Sequence, residues 1–429
     1  METEARQLSR FVPRRLSRLS FVRGAFVARL LGIVAIIGPG IITANVDNDA
    51  GGITTYSLAG AQFGYSLLWT LIPVTVALIV IQEMCARMGV VTGKGLADLI
   101  REQYGVKVTF YIMVALLLAN LANTIAEFAG VAAALEIFGV SKYLSIPAAA
   151  LFVWWLVVYG TYRRVENVFQ IACVFYAAYL ISGFLARPAW GEVLTRMVVP
   201  DFQWRGDYLV MTIAVVGTTI APWMQFYLQS AVVEKGIRLA DYRYCRYDVI
   251  VGCVVAVVVA MFIMVACAAT LYQEHLPIQT AQDAARALAP LAGKYCAALF
   301  AFGLFNASLF AASVLPLSTA YCVCEGLGWE TGIDKKLREA PQFFGLYTAL
   351  IVLGSLFILL PHFPLLAIMY LSQVLNGILL PFVLIFILLL VNRQDLMGSY
   401  VNSRTYNLIA WGTSALMIAL TLMMVGALL

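Results

Sequence analysis

Charge is scarce in this chain: only 12% of its 429 residues are Asp, Glu, Lys or Arg, while 62% are hydrophobic and the mean hydropathy is +0.89. A soluble globular domain does not have this balance. Histidine is nearly absent, with His275 and His362 both at the edges of apolar segments. No imidazole is therefore left within an apolar segment to titrate near neutral pH. Ser, His and Asp do not converge, and no His/Glu metal-ligand motif occurs, which argues against an enzyme. The eight cysteines are scattered, and only Cys322 and Cys324 lie close together. They form neither a disulfide framework nor a ligand spacing and read as small apolar packing residues.

Long apolar stretches are plentiful. Eleven segments approach or exceed the length a helix needs to cross a bilayer: 30–61, 66–89, 107–138, 143–161, 166–187, 207–233, 247–273, 293–323, 341–360, 364–391 and 405–428. The loops between them are short, so residues 30–428 are expected to form one all-α membrane domain behind a basic tail, 1–29. Assigning loops alternately puts 22 of the 28 Lys and Arg on one side, which predicts a cytoplasmic N-terminus and an extracytoplasmic C-terminus in the cell membrane. The Arg-rich start has the look of a transit peptide, but Glu2, Glu4 and the immediately following apolar segment favour a basic tail at the membrane surface. The net charge of +5 thus reports topology and not nucleic-acid binding.

A charged side chain at mid-bilayer costs about 2.5 to 3.5 kcal/mol on insertion scales, so each one inside a segment is a functional candidate. Asp47 and Asp49 interrupt segment 1 in DNDAGG, Glu83 lies in segment 2 and Glu127 in segment 3. Segment 6 holds GTTIAP, in which Pro222 removes a backbone donor and crowds the preceding turn. Two broken segments five helices apart predict an inverted repeat, about 30–187 and 207–391, followed by an eleventh helix at 405–428. Breaks of this kind point to a transporter site in which unwound carbonyls coordinate a cation.

Asn120, Asn123, Thr124 and Glu127 share one face of segment 3, as do Gln373 and Asn376 in segment 10. Plainer roles compete: Gly51 and Gly52 as packing residues, Pro222 as a kink, Asn123, Thr124 and Asn376 as interhelical hydrogen bonders. Glu83 has Arg87 four residues on and reads as one half of a structural ion pair.

With those residues in view, the chain resembles the NRAMP divalent-metal transporters, and most closely their NRAMP-related magnesium transporter branch. The likeness runs from Gly32 to the end of segment 11 and rests on GPGIITANVDNDAGG, QEMCARMGVVTGKGLADLIRE, NTIAEFAG, GTTIAPWMQFYLQS and LSQVLNGILLPF. The family's helix-1 motif Asp-Pro-Gly-Asn is replaced by Asp49-Ala50-Gly51-Gly52, so the resemblance implies Asp49 as the metal-binding carboxylate and leaves Gly52 where the asparagine ligand stood. The helix-6 Met-Pro-His is similar to Ala221-Pro222-Trp223, with Ala221 in place of the thioether and Thr218 at the position whose carbonyl faces the ion. Trp223 and Gln229 stand near the two family histidines, Thr124 replaces the proton-accepting aspartate, and Glu127 and Gln373 are kept. Segment 9 lacks the family's basic residues.

The resemblance implies a metal site of Asp49, Gly52, Thr218, Ala221, Glu127 and Gln373, and a transported ion without any cofactor. Losing the thioether and the amide oxygen favours Mg²⁺, with Mn²⁺ also admitted. Restoring asparagine at 52 and methionine at 221 is then expected to turn the site toward Mn²⁺. Loss of the proton groups implies uniport, since a divalent ion entering a negative interior gains roughly 4.6 kcal/mol per 100 mV. The alternative is an ordinary proton-coupled Mn²⁺ or Fe²⁺ carrier with Met224 as soft ligand and Glu127 as proton acceptor. Besides metal ion and lipid bilayer no partner is expected, and the protein is expected to be a monomer.

Overall fold

A computed structural model describes residues 40, 43, 46–160, 177–285 and 296–428. The basic tail 1–29, the start of segment 1 to residue 39, Arg163 and Arg164, residues 166–176 of segment 5 and 293–295 of segment 8 lie outside the described residues. The described chain is almost wholly helical. In order come α1 (Ala50–Phe63), α2 (Leu71–Thr92), α3 (Leu96–Glu136), α4 (Lys142–Val158), α5 (Ala177–Leu185), α6 (Trp190–Val198), α7 (Gly206–Thr219), α8 (Pro222–Glu234), α9 (Tyr242–Cys267), α10 (Ala281–Ala285), α11 (Cys296–Leu327), α12 (Pro341–Leu359), α13 (Leu365–Val391), α14 (Gln394–Met397) and α15 (Arg404–Leu428).

Eight helical stretches among the described residues are long and apolar enough to cross a membrane; α4 is apolar but shorter. These eight match segments 2, 3 and 6 to 11. Segment 3 begins earlier than expected. Helix α3 starts at Leu96, and Gly105 breaks it with φ 81° and ψ 167°. The first part buries Leu96, Ala97, Leu99 and Ile100 and carries Asp98 and Arg101 as a 3.1 Å ion pair, so it is an amphipathic lead-in to the apolar run after Gly105.

Both interruptions expected from the sequence are present. Residues 47–49 form a turn, and α1 begins only at Ala50, with Asp49 as its N-cap. Helix α7 ends at Thr219, Ile220 and Ala221 are non-helical (ψ 59° and 138°), and Pro222 opens α8 at its first position.

Packing brings the two breaks together. Helix α3 lies along α11 and α13, α7 lies along α13 and α1, and α9 lies along α1 and α2. Glycines set the closest approaches: a Cβ on Gly217 would strike the Gln373 carbonyl oxygen and the Gly377 nitrogen, so α7 and α13 touch backbone to backbone. Upstream of the first break, Gly40 donates its N–H to Asp248 Oδ2 at 2.7 Å, and the Asn48 side chain donates to the Ala256 carbonyl at 3.1 Å, both on α9.

At the other end of α2 the Glu83 and Arg87 side chains pair at 3.4 Å, the structural role read from their spacing. Tyr242 donates to Glu83, while Arg87 donates to the carbonyls of Tyr400 (2.9 Å) and Val401 (3.3 Å) and to the Asn402 side chain. This cluster ties α2 to the entry of α15.

Candidate metal site

A helix start leaves its first amide N–H groups without carbonyl partners. At α1 two of these are taken by carboxylates: the Gly52 N–H donates to Asp49 Oδ1 at 2.6 Å, and the Ala50 N–H donates to Glu127 Oε2 at 3.2 Å. Asp49 therefore caps its own helix, and Glu127, in the last third of α3, is brought to the same end. The two carboxyl groups lie within hydrogen-bonding reach of each other, and both are buried. Glu127 Oε1 has no donor among the described residues.

The second break supplies freed oxygens. A helical residue at 222 would return its N–H to the carbonyl of Thr218, but proline has none, so that carbonyl loses its ladder partner. The Thr218 hydroxyl is also unpartnered among the described residues, although only 1% of the residue is exposed. The Ala221 carbonyl is differently placed: it accepts from the Met224 N–H at 3.1 Å, and the Gln225 amide, with its nitrogen toward that oxygen, donates to it at 2.5 Å. Across the breaks, Tyr56 and Thr219 share a hydrogen bond of 2.8 Å.

Gln373 completes the ring from α13. Its side chain lies where a Cβ on Gly51 would fall, so Gly51 admits the amide to the start of α1. Gln373 Oε1 accepts from Asn376 Nδ2 at 2.9 Å, and Asn376 and Asn123 exchange hydrogen bonds of 2.9 and 3.2 Å. Asn123 and Asn376 thus join α3 to α13 and hold Gln373 in place. Thr124 turns its hydroxyl to the Asn120 carbonyl at 2.8 Å. Gln229, expected near a lost histidine, donates to the Lys94 carbonyl at 2.9 Å.

The structure therefore brings Asp49, Gly52, Thr218, Glu127 and Gln373 around one helix start, with Ala221 at the facing break. Sequence reasoning missed the Ala50 N–H, because a main-chain donor carries no side-chain signal. It also missed Met369, whose sulfur accepts from the Thr54 hydroxyl at 3.6 Å. Met369 is one turn from Gln373 on the same face of α13, and that spacing was the available clue. It also lines a cavity of about 240 Å³ bounded by Ala133, Glu136, Ile137, Gln279, Thr280, Ala281, Leu365 and Leu366. The cavity thus reaches within one helical turn of Gln373.

Two broken helices meeting within a helical bundle, ringed by buried carboxyl and amide groups, define a membrane transporter. The sequence matches the family described as "Natural resistance-associated macrophage protein-like" over residues 40–427. The chain belongs to this NRAMP family of membrane transporters. It is 27% identical over 406 residues to a protein of Deinococcus radiodurans named divalent metal cation transporter MntH, covering 90% of this chain and 88% of that one. It is 28% identical to a Klebsiella pneumoniae protein of the same name, covering 92% and 95%. Among solved structures the fold is similar to the Eremococcus coleocola manganese transporter, with TM-score 0.73, 22% identity and coverage of 94% and 87%.

Proposed function

We propose that this protein carries divalent metal cations across the cell membrane by alternating access, with Asp49 as the central ligand. The observation that carries this reading is the Asp49 and Glu127 pair at the start of α1, opposite the Thr218 carbonyl freed by Pro222. Mn²⁺ is the first candidate cargo, in keeping with the names of the relatives. Coupling to protons is supported by the same pair. Two buried carboxyl groups in contact do not both stay ionised unless a cation lies between them or they share a proton. Arrival of a divalent ion displaces that proton, and departure of the ion takes it back. Asp49 is the group with which Glu127 exchanges that proton.

Mg²⁺ uniport is the second reading, favoured by the donor set. Position 221 offers no sulfur, and oxygen donors suit a hard ion that keeps part of its water. In both readings the N-terminus is cytoplasmic, the cavity beside Met369 is the extracytoplasmic entry, and a monomer suffices because the ring of ligands is built within one chain.

Proteoliposomes with an inside-negative potential test both readings. Mn²⁺ uptake accompanied by internal acidification, with the acidification lost in Glu127→Gln, is the expected result. Voltage-driven Mg²⁺ uptake at constant internal pH, unchanged in Glu127→Gln, overturns the proton-coupled reading and leaves uniport.

A further inference from the structure

Position 52 shows why this site differs from one built around an asparagine. A Cβ on Gly52 would collide with the main-chain carbonyl oxygen of Asp47 and press on the Thr218 hydroxyl at 3.2 Å. The first obstacle is backbone, so no rotamer change relieves it. The side-chain replacement expected to restore the family ligand therefore does not fit this backbone: asparagine at 52 has first to push the turn at residues 47–49 aside.

The same geometry shows what gathers there instead. The Gly52 N–H holds Asp49 Oδ1 at 2.6 Å, so one carboxylate oxygen lies beside this residue. The Asp47 carbonyl comes from a turn, outside any helical ladder. The Thr218 hydroxyl is buried and has no hydrogen-bond partner among the described residues. A hydroxyl in that state is costly unless something polar meets it. Among the described residues no group of three or more His, Cys, Asp or Glu side chains gathers as a metal cluster. Beyond Asp49 and Glu127, a cation here thus draws its further ligands from neutral groups.

We infer that the Asp47 main-chain carbonyl and the Thr218 hydroxyl are ligands for the transported divalent cation beside Asp49, and that glycine at 52 is what lets them converge. The side chain at 52 and the hydroxyl at 218 together set how tightly a hard cation is held. Neutral oxygens at these two places supply what an asparagine amide supplies elsewhere, with the donor coming from the backbone and from the other broken helix. This rests on the proposed metal-transport reading and specifies the ligands of its site.

The test compares wild type with Gly52→Ala, Thr218→Val, Thr218→Ser and Asp49→Ala in the full chain, reading Mn²⁺ and Mg²⁺ binding by thermal shift and uptake in proteoliposomes. Thr218→Val adds no atom and removes no structural hydrogen bond, so it isolates the hydroxyl from folding and from the Thr218 carbonyl. Gly52→Ala and Thr218→Val are expected to raise the half-saturating Mn²⁺ concentration by at least about tenfold, as loss of a supporting group at a metal site does, while Thr218→Ser returns it to the wild-type range. Wild-type binding of both ions by Thr218→Val overturns the hydroxyl ligand while leaving the transporter reading intact if Asp49→Ala still abolishes binding. Wild-type binding and uptake by Asp49→Ala overturns the site as a whole.

Discussion

At the scale of single residues, Asp49 serves two ends at once. It caps α1 through the Gly52 N–H, and it is the carboxylate on which the proposed cation site is centred. Asp49→Ala is expected to bring uptake to background; because the lost cap is worth only about 0.5 to 2 kcal/mol, the protein still folds. Uptake by vesicles holding the folded variant, set beside its elution profile, checks both halves. Asn376→Leu probes the support of Gln373. It leaves Asn123 and Gln373 Oε1 without their donor, costing about 1 to 3 kcal/mol of stability, and frees the Gln373 amide to turn away from α1. Thermal unfolding and Mn²⁺ uptake are both expected to fall, and an unchanged uptake would show that Gln373 needs no such support. Asp49, Glu127 and Gln373 were legible in the sequence because a charge or amide in an apolar run is expensive and so stands out. The Asp47 carbonyl and Ala50 N–H were not, since every residue has these groups and only the fold decides which are left free.

At the scale of elements, Pro222 makes the difference between one long helix and two short ones. Pro222→Ala is expected to restore an N–H that recaptures the Thr218 carbonyl. One added backbone hydrogen bond is worth about 0.5 to 1.5 kcal/mol, which translates into Mn²⁺ binding roughly two- to tenfold weaker. Titration of the purified variant with Mn²⁺ checks this, and tighter binding would contradict it. This break was readable because proline acts locally and wherever it stands. The break at Gly105 was not, because a glycine in a polar stretch resembles any loop glycine until its φ of 81° is seen. The amphipathic start of α3 was hidden for the same reason: Leu96 to Ile100 is too short a run to show its period against the apolar background.

At the scale of the whole molecule, Arg87 links the start of α15 to α2 through two carbonyls, the Asn402 side chain and the ion pair with Glu83. Arg87→Met removes the ion-pair partner of Glu83 and leaves Arg246 as the remaining positive charge acting on it. Removing one partner of a buried pair costs about 3 to 5 kcal/mol, so a clear fall in the thermal midpoint in detergent is expected. An unchanged midpoint would mean that α15 is held by its apolar contacts alone. The pair itself was visible as an i,i+4 spacing, whereas its attachment to a segment more than 300 residues away was not, because nothing local encodes that contact.

The contact between α7 and α13 has a consequence for how this sequence can change over time. Most packing faults are repairable, because a side chain that grows on one helix is matched by one that shrinks on its neighbour. Gly217 meets the Gln373 carbonyl and the Gly377 backbone, and Gly377 in turn meets the Ile213 carbonyl. Each glycine therefore faces main chain, which no substitution can make smaller. A lineage that loses either glycine has no second-site suppressor on the facing helix, so the two positions are expected to be fixed independently and not as a co-varying pair.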